Sequence, residues 1–488
     1  MENLNQIGVR VDSYLAGRLK RWASHIVALC VDPRDPRGTR HTFVDCVVGL
    51  LAGIVCQRSG IRDVEELSAK LGLGSRAQGI SDGAFTHLLT LCQERQFELV
   101  LVNSVRDMGR RGELRHPGFC QSWISVDGKY SCLDHDCGGW GQKFFKDKPK
   151  PKEKTKPKEK KMVKAKTQVE TKATAKTATA TATNETVPYW RVGVLRAVLI
   201  TSPSRPALGQ WPMGPVKTEE TDPEKVKHTG EITNLPPFIG WLRKQFGELA
   251  SNFSLDAGLW SKAIFLAMDL AGMGVLCALK ENKPELYAEV ERIMRIEMEK
   301  RAPVAESDWE PCRTGTIRRR LWRTDKLDGW LGWKNLRQVA VVEQTTRDHD
   351  GKETVELRYY ITNATTGMLS ARQLLQLIRQ HWAIENDCNW TFDMQFGEDD
   401  LAYCAQNKAL LVLGVLRMIA YNLLQHLRKS HATVQHARIE PTPRPWRSLF
   451  ELVHDRFKTM GTGFAIAITQ AADTTVRTRR RRQPVPVG

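Results

Sequence analysis

The sequence lacks an apolar run long enough to cross a lipid bilayer. The strongest candidates, Phe43–Cys56 and Ile264–Leu279, each contain an aspartate, whereas a transmembrane helix needs roughly 20 predominantly apolar residues. The first ten residues are polar and lack the apolar centre of a signal peptide. We therefore expect a soluble protein with no membrane partner.

A disulfide framework and a nucleotide-binding loop are also lacking. The 11 cysteines show no paired spacing, which argues against a disulfide-stapled secreted domain and predicts a reduced, cytoplasmic setting. Cys132, His135 and Cys137 are of types that bind zinc, but no second Cys/His pair follows at zinc-finger spacing. No glycine-rich phosphate loop is present, so ATP-driven chemistry is not expected.

Positive charge, in contrast, is abundant and unevenly distributed. Of a formal net charge of +18, the segment 141–180 contributes +10, from 14 lysines against four acidic residues, and five arginines of the tail, between 477 and 482, add +5. Such segments suit a polyanion such as DNA, because each neutralised phosphate releases counterions. Solubilising low-complexity segments are the alternative interpretation.

The chain divides into regions that differ in composition and in hydrophobic periodicity. Strand–helix–strand order predicts an α/β fold with a mixed sheet. The lysine- and threonine-rich segment 143–186 cannot bury enough apolar surface to order itself, so we predict a disordered insertion in a hairpin connection. The predicted regions are a helical N-terminal domain at 1–115, a core at 120–310, a β-rich insertion at 311–365, the rest of the core at 366–430, and a C-terminal region with a basic tail at 431–488. The N-terminal domain is predicted to contact DNA, with a dimerising or purely structural role as the alternative.

Two aspartates stand at the ends of short alternating segments. Trp123–Asp127 is followed by Gly128, and Asn252–Asp256 is followed by Gly258. Both patterns predict a strand that ends in an acid, a frequent place for ligand-facing carboxylates in α/β sheets. The alternative is that each aspartate merely caps a turn.

The stretch that follows residue 370 predicts a helix displaying a carboxylate. Ser370 and Gln373 have the spacing of a capping box. On one continuous helix His381, Glu385 and Asn389 would stack one turn apart. The apolar positions at the spacing of one buried helical face are Leu374, Leu377, Ile378 and Trp382.

Asp127, Asp256 and Glu385 could converge from three separate elements on a divalent metal. Mg²⁺ prefers hard oxygen ligands, typically a few carboxylates completed by water and substrate phosphate. A pair of such ions can stabilise the attacking and leaving oxygens of an in-line phosphoryl displacement. The sequence thus suggests Mg²⁺, with Mn²⁺ as a substitute. Asp393 and the cluster Glu398–Asp400 are alternatives for the third acid.

Four blocks in the same order resemble those of a known family. They are Val126–Lys129, Thr229–Ile232, the pair Leu255–Ala257 and Ala278–Pro284, and His381–Asp399. The blocks are similar to the DGK, TNEI, DA…LKxNQP and HWxIEN signatures of insertion-sequence DDE transposases of the H-repeat-associated (ISAs-type) family, within the IS-four-like superfamily. The resemblance extends, with gaps, from about Arg40 to Leu427.

The resemblance implies an RNase-H-like catalytic core with a DDE triad, carried here by Asp127, Asp256 and Glu385. It also implies metal-dependent DNA strand cleavage at transposon ends and strand transfer into target DNA. The implied partners are terminal inverted repeats, target DNA and a second copy of the chain on DNA, in the nucleoid-associated cytoplasm of a bacterium. Candidate DNA contacts are Lys129, Lys280, Arg379, His381 and Asn386.

Some positions leave other interpretations open. The wider superfamily has Tyr, Arg and Lys at fixed offsets around its glutamate, where this chain has Ile378, His381 and Phe392. His381 could equally be a structural histidine. The alternative functions are a catalytically silent DNA-binding protein derived from a transposase, and a metal-dependent nuclease without strand transfer.

Overall fold

The computed structural model describes most of the chain. The described residues are 4–58, 60–75, 78–114, 118–133, 142–147, 186–215, 229–398, 407–429, 445–459, 461 and 470. Most of the predicted lysine- and threonine-rich insertion, at 148–185, lies outside them, as do His135, Cys137, Asp399, Asp400 and the basic tail.

The N-terminal region is helical, as predicted. Its second helix is buried from Cys46 to Val55 because nearly every residue in it is apolar. Thr42 and Ser81 cap the second and fourth helices, each accepting a hydrogen bond from a backbone N–H three residues on. The helices are α1 Leu4–Leu29, α2 Phe43–Val55, α3 Ile61–Lys70, α4 Asp82–Leu91 and α5 Glu94–Arg110.

A mixed sheet of 11 strands in the described residues forms the centre of the protein, which confirms the α/β prediction. The order is β2-β3-β1-β5-β6-β11-β10-β9-β7, with β4 also paired to β3 and β8 to β9. Strands β1, β5 and β6 run parallel, and their neighbours on both sides run antiparallel. The strands are β1 Ile124–Leu133, β2 Gln142–Asp147, β3 Thr186–Leu199, β4 Ala207–Met213, β5 Asn252–Leu255, β6 Gly274–Leu279, β7 Ala305–Glu306, β8 Glu310–Cys312, β9 Gly315–Thr324, β10 Gln338–Asp348 and β11 Glu353–Thr362.

Helices connect the strands and follow them. The connecting helices are α6 Glu231–Phe246, α7 Lys262–Leu270 and α8 Pro284–Lys300. After the sheet come α9 Ala371–His381, a π-helical turn at Ile384–Asn389, α10 Trp390–Met394 and α11 Asn407–Lys429. A further helix covers 446–459. Ser370 and Gln373 form the predicted capping box at the start of α9.

The predicted insertion lies in the hairpin between β2 and β3. These strands pair antiparallel from Gln142 with Arg191 to Asp147 with Thr186. The predicted boundaries need correction, since 143–147 and 186 belong to paired strands rather than to a disordered segment. The chain leaves and re-enters the sheet at neighbouring positions, which is why a long insertion costs little closure entropy here.

The β-rich segment predicted at 311–365 extends the central sheet instead of forming a separate layer. Tyr360 of β11 pairs with Ala278 of β6, and β10 and β9 continue the same sheet outward. The predicted strands are present, and 348–351 turns between β10 and β11 as expected. The continuity places β11 directly beside β6, which is the parallel strand next to β5.

Helix α11 fills the space between the N-terminal helices and the sheet. Its Asn422 side chain bonds both backbone groups of Ala207 in β4, at 2.7 and 2.8 Å. On its other side His426 stacks on Tyr14 of α1, with ring centroids 5.4 Å apart. In the described residues, Ala409–Lys429 is the one helix long and apolar enough to cross a membrane, and it is mostly buried inside the protein.

Candidate active site

Asp127 and Asp256 come from adjacent parallel strands. Ser125 of β1 pairs with Ser254 of β5, so the residues two further along each strand lie on the same face of the sheet. Asp256 directly follows the end of β5, as predicted. The prediction that Asp127 ends its strand is wrong, because β3 pairs with β1 on its other edge as far as Leu133.

Gly128 lies inside β1, and a carboxyl group from another element occupies the space that a side chain at this position would need. A Cβ at position 128 would overlap the Glu231 carboxyl group. Glu231 is the first residue of α6 and hydrogen-bonds Tyr130 of β1. A glycine in a strand interior often marks such a close approach. Glu231 was not predicted as a site residue, although Gly128 and the block at 229–232 were both visible in the sequence.

His381, at the end of α9, contacts both β1 and β5 through a serine of each strand. Its Nδ1 lies 2.9 Å from the Ser254 hydroxyl and 3.3 Å from that of Ser125. Burial lowers the pKa of His381 to about 4, so the imidazole is neutral at neutral pH. Its side chain is not presented to solvent, and the geometry favours a positioning role over the predicted DNA contact.

Replacing His381 by Phe is expected to destabilise the protein by about 1–3 kcal/mol at neutral pH, because the buried Ser254 hydroxyl loses its imidazole partner. The Ser125 hydroxyl keeps its hydrogen bond to the backbone carbonyl of residue 381. The difference from wild type should shrink as pH falls from about 6.5 to 4. In that window the unfolded histidine binds a proton that the native one, with its pKa lowered to about 4, does not. Urea unfolding of both proteins across this range, with His381→Asn as the variant that keeps an acceptor, measures the effect. A pH-independent difference would contradict it.

Glu385 lies on the π-helical turn, not on the predicted continuous helix. Helix α9 ends at His381, and the wider turn spans Ile384–Asn389. Turns of this kind insert one residue into a helix and are frequent at functional sites. The turn leaves the Glu385 side chain exposed and directs Asn389 to Asp127, whose Oδ2 accepts a hydrogen bond from Asn389 Nδ2 at 3.2 Å.

A buried ion pair supports that asparagine. Arg196 of β3 donates to Asn389 Oδ1 at 3.3 Å and forms a salt bridge with Glu398. Its guanidinium also lies 4.4 Å from the centre of the Phe392 ring. Burial would raise the pKa of Glu398, but Arg196 outweighs it and the pKa is lowered. Glu398 is therefore ionised and paired with Arg196.

Among the described alternative acids, Asp393 is also paired. It lies 2.7 Å from Lys129 Nζ, so Glu398 and Asp393 both take part in ion pairs, while Asp399 and Asp400 lie outside the described residues. Lys129, a predicted DNA contact, is held in this pair. Lys280 is mostly exposed and lies 3.8 Å from Asp256 Oδ1. Arg379 pairs with Glu310, and Asn386 is exposed beside Glu385.

The four carboxyl groups influence one another. Burial, then Glu385, Glu231 and Asp256, raise the pKa of Asp127 to about 7. Partial burial and the charge of Asp256 raise the pKa of both Glu385 and Glu231. Raised pKa values of several neighbouring acids, here Asp127, Glu231 and Glu385, are frequent at catalytic sites.

The donor set suits a hard divalent cation. The candidate ligands are carboxylate oxygens, and Asp256 Oδ1 is buried without a hydrogen-bond partner, which leaves a lone pair free for a cation. In the part of the chain that the structure describes, however, no three His, Cys, Asp or Glu side chains already stand close enough to share an ion. The carboxylates are of the right type for the ion, but at least one of the described side chains would have to move before three could share it.

Comparisons with known proteins agree with the motifs. The chain is 25% identical over 234 residues, 46% of its length, to "Putative transposase YncI" of Escherichia coli O157:H7, covering 56% of that protein. It is 32% identical over 101 residues, 20% of its length, to "H repeat-associated putative transposase YhhI" of Escherichia coli K12, covering 26% of that protein. The chain is similar to H-repeat-associated transposases.

The resemblance drawn from the sequence motifs is thereby confirmed. The chain spans just over half of the first of these transposase relatives and about a quarter of the second. "Putative protein YbfL" of Escherichia coli K12 is similar over the same extent as YhhI. No family model matches the chain.

Proposed function

We propose that the protein is a DDE transposase that cleaves DNA strands at transposon ends and transfers them into target DNA. The observation that carries the proposal is the parallel register of β1 and β5, which presents Asp127 and Asp256 on the same face of the sheet. The charge of Glu385 acts on this site, since it helps to raise the pKa of Asp127. Relatives named as transposases support the same conclusion.

The sheet supports an RNase-H-like core. Antiparallel β4, β3 and β1 are followed by β5 and β6, both parallel to β1, in the order β4-β3-β1-β5-β6. The second aspartate follows the first parallel strand after β1, and the glutamate lies on the helical segment that covers this face. This order agrees with the core that the motif resemblance implies.

In the proposed reaction Asp127, Asp256 and Glu385 would hold Mg²⁺ against the scissile phosphodiester. The ion, when bound, supplies Lewis acidity to the phosphoryl group and to the attacking oxygen. Asn389 holds Asp127 by a hydrogen bond, and His381 joins the strands that precede or carry both aspartates. Glu231 adds negative charge that would strengthen the binding of a cation. Water attacks first, and the released 3′-hydroxyl then attacks target DNA. Two transposon ends must be held together, so we expect a homodimer on DNA.

A cleavage assay with Glu385→Gln tests the proposal. Wild-type protein is expected to cut a plasmid that carries the DNA flanking its gene, with Mg²⁺ or Mn²⁺ and not with EDTA. Glu385→Gln should lower the cleavage rate by about 10²-fold or more, since a charged group at the reacting centre is lost, while DNA binding is retained. Glu353→Gln, at an exposed position of β11, is the control and should cut normally.

Product analysis separates the alternatives. Joined target DNA supports a transposase, whereas cleavage without joining would identify a nuclease. DNA binding without cleavage under any divalent ion would leave a silent DNA-binding protein and overturn the proposal.

A further inference from the structure

A cavity of about 400 Å³ is lined by three arginines, Arg319, Arg358 and Arg379, together with Trp382 and Asn386, the residue that follows Glu385 in the chain. We call these three side chains the arginine pocket. A second cavity, of about 490 Å³, contains Asp256 and shares Arg358 and Trp382 with the first. The two cavities are therefore neighbours that meet at Arg358 and Trp382, and we call the pair of cavities the groove.

The sheet register places the arginine pocket on the same face as the aspartates. Tyr360 of β11 pairs with Ala278 of β6. Leu255 of β5 pairs with Cys277 of β6, so the next residue, Asp256, lies in the same cross-strand row as Ala278 and Tyr360. Arg358 is two residues from Tyr360 and therefore on the same face. Arg319 lies on that face as well, because it pairs with Gln344, which pairs with the residue two before Arg358.

Positive charge in the pocket exceeds the negative charge beside it. Arg319 and Arg379 share a single carboxylate, that of Glu310. Arg358 bonds Glu356 at 2.9 Å and lies 5.3 Å from the centre of the Trp382 ring. Burial, then the charge of Arg379, lowers the pKa of Arg319. Concentrating guanidinium groups in this way costs free energy that a bound anion would offset.

We propose that the arginine pocket binds a backbone phosphate of the DNA strand, next to the phosphodiester that lies at the carboxylates. The inference rests on the proposed function. Glu310 and Glu356 pair with these arginines but are not among the described residues that line the cavity. Guanidinium groups match phosphate oxygens in pairs. The groove leads one strand from Asp256 past Trp382 to Arg319, so the segment predicted as a β-rich insertion supplies the binding surface.

Chemical protection tests the proposal at the residues themselves. The full-length protein is treated with phenylglyoxal, which modifies arginine, with and without a duplex of arbitrary sequence, and modified peptides are measured by mass spectrometry. Arg358 and Arg379 are expected to be protected by the duplex several-fold more than Arg318, which lies on the opposite face of β9. Equal modification with and without duplex would overturn the proposal. Protection by inorganic phosphate but not by DNA would also overturn it, by identifying a site for a small anion.

Salt dependence of DNA binding gives a second measurement. Arg358→Gln should reduce the slope of log affinity against log salt by about one, the effect of one lost phosphate contact. Arg318 lies outside the pocket and pairs with Glu306 at 3.2 Å. Arg318→Gln should therefore leave the slope unchanged. Arg358→Lys keeps the charge and serves as the folding control. An unchanged slope in Arg358→Gln would contradict the proposed phosphate contact in the arginine pocket. Absence of DNA cleavage by the wild-type protein would instead contradict only the proposed transposase function.

Discussion

Asp127→Asn is expected to abolish DNA cleavage and, in the absence of metal, to make the protein more stable. The carboxylate is a proposed metal ligand at the reacting centre, so its loss should lower the cleavage rate by at least about 10³-fold. The same carboxylate is held near three other acids, which raise its pKa together with burial to about 7. Asparagine has nearly the same shape and removes that charge.

The stability effect has a definite pH dependence. The ordinary pKa of Asp is 3.8, and the native value is about 7. Between these pH values the native state binds more protons than the unfolded state, so the free energy of unfolding falls as pH rises through the window. Above about pH 7 Asp127→Asn should exceed wild type by on the order of 1–3 kcal/mol, and below about pH 4 the two should agree.

Thermal unfolding in EDTA at pH 4 and pH 8, paired with the cleavage assay, measures both effects. Asp308→Asn, at an exposed position, is the control and should change neither. An inactive Asp127→Asn variant that is less stable than wild type at pH 8 would contradict the expected repulsion among the carboxylates. Greater stability with lost activity would show that the site is strained for its function.

Arg196→Met is expected to destabilise the protein by about 3–5 kcal/mol, because it leaves the buried Glu398 carboxylate without its partner. Both side chains are almost completely buried. Asn389 also loses a donor, so Asp127 is held less firmly. Methionine fills much of the volume of the arginine, which limits the contribution of a cavity to the effect.

A double variant isolates the charge. Arg196→Met combined with Glu398→Gln removes both members of the pair and should recover most of the lost stability. Urea unfolding in EDTA of the two single variants and the double variant gives the coupling free energy. If Arg196→Met alone lowers the free energy of unfolding by less than about 1 kcal/mol, the Arg196–Glu398 pair does not hold the π-helical turn beside the site.

Much of this site could be predicted from local patterns. Asp256 followed an alternating segment, and Ser370 and Gln373 formed a capping box, since strand ends and helix starts depend on a few neighbouring residues. The π-helical form of the segment after α9 could not be predicted from such local patterns. The π-helical turn forms where Asn389 and Glu398 are drawn to Asp127 and Arg196, which are about two hundred residues or more away in sequence.

The same limit explains the error at β1 and the choice between two roles that the sequence left open at His381. Gly128 predicted a break, but β3 pairs along β1, and the glycine is explained by Glu231 from a distant helix. His381 had the spacing of an exposed helical position beside a carboxylate. Its burial follows from two serines on strands that meet only in the folded sheet. Contacts between remote segments decide these features, and periodicity carries no information about them.

The β2–β3 hairpin has a consequence for how this protein can diversify. The segment between Asp147 and Thr186 starts and finishes at paired positions of one ladder, so its length is uncoupled from the geometry of the sheet. Each doubling of such a loop costs only about 0.6 kcal/mol. A cationic segment of almost any length can therefore be gained, shortened or exchanged at this position. Under the proposed function, such changes would adjust general DNA affinity without altering the proposed catalytic residues.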